Sequence, residues 1–246
     1  MSAAPDYAIE AKGIVRRYGG FAALGGVDIA VPPGEIRGLI GPNGAGKSTL
    51  IDVLSGRNTH WSGSVQVFGQ DIGPMSVQQR RGIGLARSFQ RTNIFPGLSV
   101  REQLEIAARS AEVQNVDEVL RELGLAHLAR RIAADISYGD QRRLDLALAL
   151  IGRPRILLLD EPAAGLSMAE SLALAQHLKE LVSRWKVTVL LVEHDMEVVF
   201  SICDRITVLA LGKVLAEGTP DEVRNMPEVV TAYLGTSAME TMEEHA

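Results

Sequence analysis

Apolar residues along the chain change their period several times, and each change predicts an element. Alternation over residues 9–15, then at Val27, Ile29 and Val31, then over 36–40, predicts strands near the start. Lys47 to Ser55 reads as a helix closed by Gly56, and Val65, Val67 and Gly69 suggest a further short strand. Residues 99 to about 135 carry no strand signal. There Ser99 with Glu102, and Asn115 with Glu118, have capping-box spacing. The second start opens a helix with Val116, Val119, Leu120 and Leu123 on one face, ended by Gly124. Residues 136–150, ISYGDQRRLDLALAL, run from a small polar turn into a helix. Its stripe is Leu144, Ala147, Leu148 and Ile151, and Gly152 and Pro154 stop it.

Apolar runs at 156–159 and 187–192 predict buried strands, followed by helices over about 168–184 and 195–203. Residues 206–211 and 214–216 predict a closing strand pair around Gly212. Thr219, Pro220 and Glu222 announce a last helix by cap, N1 proline and capping-box acid. Residues 236–246 are expected to fray. Strands alternating with helices imply an α/β fold with a mostly parallel sheet. The expected organisation is one domain over 1–246, with a core at about 5–90 and 152–235 and an inserted helical subdomain at about 91–151.

The 246 residues, 46% of them hydrophobic, are enough for an ample core. A net charge of −5 argues against non-specific binding to nucleic acid, which needs clustered basic charge. Cys203 is the single cysteine, so no intrachain disulfide can form and a reducing compartment is expected. The start, MSAAPDYAIEAKG, shows neither the basic nor the apolar segment of a secretion signal. No apolar run approaches the roughly 20 residues of a spanning helix, so the chain alone is expected to be soluble.

Chemistry enters where the strand over 36–40 runs into GPNGAGKSTL. This fits G-x-x-x-x-G-K-[ST], with Gly41, Gly46, Lys47 and Ser48 at the fixed positions. Pro42, Asn43, Gly44 and Ala45 fill the turn, and Thr49 follows. Glycines let several amides face one anion, and the helix N-terminus adds its dipole. Lys47 would reach β- and γ-phosphates, and Ser48 would bind Mg²⁺. A second strand, in RILLLDEPAAGLS, delivers Asp160 and Glu161 to the edge where a parallel sheet places ligands. Asp160 is expected to hold Mg²⁺ through water, and Glu161 to orient or deprotonate the attacking water. Ser137 and Gly139 in the ISYGD turn would form half of an anion site at a helix N-terminus, or an ordinary cap.

These motifs together resemble an ATP-binding-cassette (ABC) ATPase over nearly the whole chain. GPNGAGKST is similar to the Walker A loop, ILLLDE to Walker B and ISYGD to the signature motif (usually LSGGQ). The resemblance implies a P-loop NTPase (RecA-like) core with an N-terminal antiparallel β subdomain and an inserted helical subdomain. It makes Gln90 in ARSFQ the Q-loop residue, a catalytic and metal-side group, and His194 in VEHDM the switch histidine. It makes Tyr18 the aromatic that stacks on adenine. Without the family context, Gln90 reads as a surface polar group, His194 and Tyr18 as packing residues. Two cassettes, identical or paralogous, would pair head to tail, with Ser137, Gly139 and Asp140 of one covering ATP held by the other. ATP and Mg²⁺ are the implied cofactors, and transmembrane permease subunits the implied partners, with a substrate-binding protein indirectly. The implied location is the cytoplasmic face of the cell membrane. The segment 91–99 would help form the groove for a permease helix.

The chain departs from the pattern at Tyr138 (usually Gly), Asp140 (usually Gln), Leu148 (often Arg) and Ser167 (usually Asp). Ser167 with Glu170 also fits a capping box, so AAGLS can simply start a helix. SYGDQRRLDLA, DEPAAGLS, VEHDM and PEVVTAYLG look like the ATP-binding subunits of branched-chain amino-acid importers. Lipopolysaccharide-export ATPases share the AYLG-type ending. A soluble, non-transport ABC protein usually carries two cassettes or a long coiled coil, whereas 112 residues separate Lys47 from Asp160 here. A small-molecule P-loop kinase would need no signature motif.

Overall fold

The computed structural model describes residues 7–88 and 93–232. In chain order the elements begin with β1 (Ile9–Tyr18), β2 (Phe21–Val31), β3 (Ile36–Ile40), α1 (Lys47–Ser55), β4 (Ser62–Val67) and β5 (Gln70–Asp71). Then come α2 (Val77–Gly82), β6 (Leu85–Arg87), α3 (Val100–Ser110), α4 (Val116–Glu122) and α5 (Tyr138–Leu150). The last part holds β7 (Ile156–Asp160), α6 (Met168–Trp185), β8 (Thr188–Val192), α7 (Met196–Ile202), β9 (Arg205–Ala210), β10 (Lys213–Gly218) and α8 (Pro220–Arg224).

Two sheets result. The first has order β2-β1-β4-β5 and is antiparallel; the second has order β10-β9-β3-β8-β7-β6. In the second, every pairing is parallel except β10 with β9. The parallel strands are buried on both faces, and their period-2 alternation divides the apolar residues between two clusters. Leu157, Leu159, Val189 and Leu191 face a cluster that takes in Leu104, Leu120 and Leu144 from the helical segment. Leu158, Leu190 and Val192 face the other, with Leu50 and Leu54 of α1 and Ile14 and Leu24 of the antiparallel sheet. The phosphate-loop helix is thus clamped between the two sheets.

Several expectations need correction. Strand β2 starts at Phe21, six residues before Val27, because it pairs along the full length of β1 down to Tyr18↔Phe21. The sequence reading passed over α2, which has a complete capping box between Ser76 and Gln79. It also passed over β6, a strand too short to show a period. Asn115 makes no side-chain cap on α4. Its Oδ1 instead accepts from the Gly152 N–H (3.3 Å), a contact from the far end of α5. The single stripe expected on α5 is also too simple. Arg142, Asp145 and Leu146 are buried as well: Arg142 donates to the Glu161 and Ala164 carbonyls, Asp145 Oδ1 accepts from the Asn93 N–H (3.0 Å), and Leu146 joins the core cluster. The boxes at Ser99, Ser167 and Thr219 form as expected.

Candidate nucleotide site

The parallel sheet ends its strands on one edge, and the loop after β3 leaves from there. At Gly41 (φ 148°) a Cβ would lie 2.1 Å from the Leu209 carbonyl oxygen; at Gly46 (φ 105°) it would lie 2.7 Å from that of Ala23. Only glycine allows this close approach of backbone to backbone. Gly46 then caps α1 with no side-chain hydrogen bond, so the first helix amides depend on a ligand or water. The buried Lys47 folds back, its Nζ donating to the Gly41 (2.6 Å) and Pro42 (3.0 Å) carbonyls. Burial lowers its pKa, opposed by the charges of Glu161 and Asp160.

Residues 43–49 line a concavity of about 330 Å³ together with Tyr18, Phe21, Ala23, Glu161 and His194. Loop, acid and histidine, distant in sequence, therefore share one pocket. Tyr18 is 49% exposed; the Arg16 guanidinium lies 4.2 Å from its ring centroid, and its hydroxyl accepts from Asn58 Nδ2 (3.1 Å). Phe21, 65% exposed in the same pocket, is a second aromatic that the sequence reading missed, though YGGF offered it one turn away.

β7 delivers Asp160 in register with Val192 of β8. Asp160 is buried, and burial raises its pKa against the opposing pull of Arg87. Its Oδ2 accepts from Arg87 Nη2 (3.0 Å), while Oδ1 has no partner among the described residues. Glu161 follows at φ 51°, a left-handed conformation rare for a residue with a Cβ. That turn is held by the Glu161 N–H donating to Val192 O (2.9 Å) and by Arg142 Nη2 donating to Glu161 O (3.2 Å). It leaves Glu161 Oε1 2.8 Å from His194 Nε2.

An orphaned buried carboxylate oxygen and an exposed Ser48 hydroxyl are hard donors of the kind Mg²⁺ takes. Among the described residues no three His, Cys, Asp or Glu side chains converge into a cage. A cation here would complete its shell with water and phosphate oxygens, as Mg²⁺ does in nucleotide sites. The donor set fits.

The ISYGD turn lies apart from this pocket. None of Ser137, Gly139 and Asp140 lines it. Ser137 caps α5: its Oγ accepts from the Asp140 N–H (3.1 Å) and donates to Asp140 Oδ2 (2.7 Å). The Tyr138 hydroxyl donates to Ala164 O (3.1 Å), and Arg142 donates to the same carbonyl (3.0 Å from Nη2). The turn thereby grips the segment that follows Glu161. Gln90 and the start of the 91–99 segment lie outside the described residues.

Sequence reasoning also missed Arg87, Arg142 and Glu193. Glu193 is buried at the end of β8 and accepts from the N–H groups of Ala163 (2.8 Å) and His194 (3.3 Å). An acid directly after an apolar run, beside a strand that ends in another acid, was the available signal. For Arg87 it was one charge in the otherwise uncharged GIGLARSF.

The family model described as ABC transporter matches residues 24–164, and one described as branched-chain amino acid ATP-binding cassette transporter matches 213–238. The chain is 38% identical to the high-affinity branched-chain amino acid transport ATP-binding protein LivG of Escherichia coli (strain K12), over 92% of this chain and 97% of LivG. It is 37% identical to BraF of Pseudomonas aeruginosa, a protein of the same description, over the same shares. Among solved structures it is similar to the ADP conformation of MJ1267, an ATP-binding cassette of an ABC transporter. That likeness has a TM-score of 0.86 and 29% identity, covering 93% of this chain and 99% of that one.

Proposed function

Since the chain belongs to the ABC transporter ATP-binding family, we propose that it is the ATP-hydrolysing subunit that powers a branched-chain amino-acid importer. The observation that carries the reading is the single pocket shared by the phosphate loop, Glu161 and His194. The likeness to LivG and BraF along nearly the full length, and the match at 213–238, support the substrate class.

In this reading the adenine rests against Tyr18, and the loop N–H groups of Gly41, Asn43, Gly44, Ala45 and Gly46 cradle the phosphates, while Pro42, which has no N–H, shapes the turn. Lys47 exchanges its two loop carbonyls for phosphate oxygens, a replacement made easier because those bonds are neutral acceptors to a buried cation. Thr49 extends the cradle along α1. Ser48 and Gln90 would hold Mg²⁺, with Asp160 doing so through water, and the bound ion would offset charge on the phosphate oxygens. Glu161 takes the proton of the attacking water, and His194, already 2.8 Å away, fixes that carboxylate.

Ser137, Gly139 and Asp140 serve a second cassette, identical or paralogous. That none of the three lines this chain's own pocket supports that role. Among the described residues no helix is long and apolar enough to cross a membrane, so the transport path is supplied by permease subunits. A groove of about 300 Å³ lined by Arg81, Asp145 and Leu148 suits a permease helix at the cytoplasmic face of the membrane. A substrate-binding protein is then an indirect partner.

The test replaces the native chain in cells by its Lys47→Ala variant. Uptake of radiolabelled leucine, isoleucine and valine should be lost while methionine uptake persists. Undiminished leucine uptake rules out the importer assignment.

A further inference from the structure

Arg87 sits at the end of β6 with its side chain only 9% exposed. Its guanidinium joins three elements. Nη1 donates to Asp52 Oδ1 and to Ser55 Oγ (3.0 Å), both on α1, and Nη2 donates to Asp160 Oδ2 (3.0 Å) on β7. We propose that Arg87 is a positioning residue that holds the metal-side carboxylate and the phosphate-loop helix in fixed relation, so that Asp160 presents Oδ1 to the cation.

This rests on the reading of Asp160 as a metal-side acid. An unrestrained carboxylate turns about its terminal torsion and offers either oxygen. Engaging Oδ2 removes that freedom and leaves Oδ1, which has no protein partner among the described residues. The planar guanidinium fork also sets the spacing between its two Nη groups. Asp160 is therefore tied to the first helix of the phosphate loop by way of Asp52 and Ser55, 35 and 32 residues from Arg87 in sequence. A lysine ammonium could satisfy one of these acids but could not fix the plane of either. Partners of this kind, one bond behind a metal-side acid, typically change metal affinity by roughly 10- to 100-fold when removed.

Binding of a fluorescent ATP analogue should be measured in EDTA and across a Mg²⁺ titration for wild type, Arg87→Lys, Arg87→Ala, Asp52→Asn and Asp160→Asn. Affinity in EDTA should be unchanged in Arg87→Ala. The Mg²⁺ concentration that half-saturates the enhancement should rise roughly 10- to 100-fold, and less in Arg87→Lys. An unchanged Mg²⁺ requirement in folded Arg87→Ala overturns the proposal. So does an affinity loss of equal size in EDTA and in Mg²⁺, since that marks mere support of the loop. Should Arg87→Ala fail to fold, Asp52→Asn decides: a smaller shift in the same direction supports the proposal, and none overturns it. A shift in Asp160→Asn without one in Arg87→Ala defeats only the positioning role. No shift in Asp160→Asn defeats the metal-side reading itself.

Discussion

Replacing Glu161 by glycine and by alanine separates the strain at this residue from its chemistry. Its φ of 51° costs an L-residue about 1–2 kcal/mol that glycine does not bear. Glycine in turn loses about 0.4–1 kcal/mol through the larger entropy of its unfolded chain. Both variants lose the carboxylate and its contact with His194, so those terms cancel in the comparison. Glu161→Gly should therefore be more stable than Glu161→Ala by about 0.8 kcal/mol, the middle of a span of roughly 0–1.6, which for a chain of this size is about 2–3 °C in Tm. Ala164 is not among the residues with positive φ, so Ala164→Gly should show the usual opposite sign. Urea and thermal unfolding of the nucleotide-free proteins measure all three. ATP hydrolysis should fall by roughly 10² to 10⁴ in both Glu161 variants, as it should in Glu161→Gln, with ATP binding retained. If Glu161→Ala proves more stable than Glu161→Gly, as alanine is at an ordinary position, the left-handed turn is not held in solution, and the account of how the carboxylate is aimed fails.

Burial raises the Glu193 pKa above the ordinary 4.5, against the pull of the Ala163 and His194 amides. A raised acid contributes its stability in full below the unfolded value and loses it as pH rises through the folded one. The stability of wild type relative to Glu193→Gln should thus decline as pH is raised from 4.5, and a pH-independent difference in urea unfolding contradicts this. Ser137→Arg should leave ATP binding to the monomer intact yet block closure with a partner. If the chain pairs with itself, mixing this variant with Lys47→Ala should restore some ATPase activity; loss of ATP binding by the Ser137→Arg monomer excludes the head-to-tail arrangement. Tyr18→Ala should weaken ATP binding by about 1–3 kcal/mol if the ring stacks on the base, and unchanged affinity in calorimetry would return Tyr18 to a packing role.

What could be read from the sequence was chain-local. The phosphate loop announces itself because strand, glycine turn, lysine and helix are consecutive, and each enforces the next through backbone conformation. The boxes at Ser99, Ser167 and Thr219 were legible because donor and acceptor lie three residues apart. Asn115 had the same spacing and still lost its cap, because the Gly152 amide, 37 residues away, took the side-chain oxygen. Only the tertiary structure decided contacts of that kind. The strand order β10-β9-β3-β8-β7-β6 sets Arg87 beside Asp160, 73 residues on, and His194 beside Glu161, 33 residues on. It likewise brings Glu193 to the Ala163 amide and Arg142 to the Glu161 carbonyl. Such pairings carry no periodicity, since they depend on which strands the crossovers make neighbours and where each one ends. The sequence by itself determined the phosphate loop, the acid pair after β7 and the local caps, but did not single out Phe21, Arg87, Arg142 or Glu193. The crossovers determined which of these groups touch.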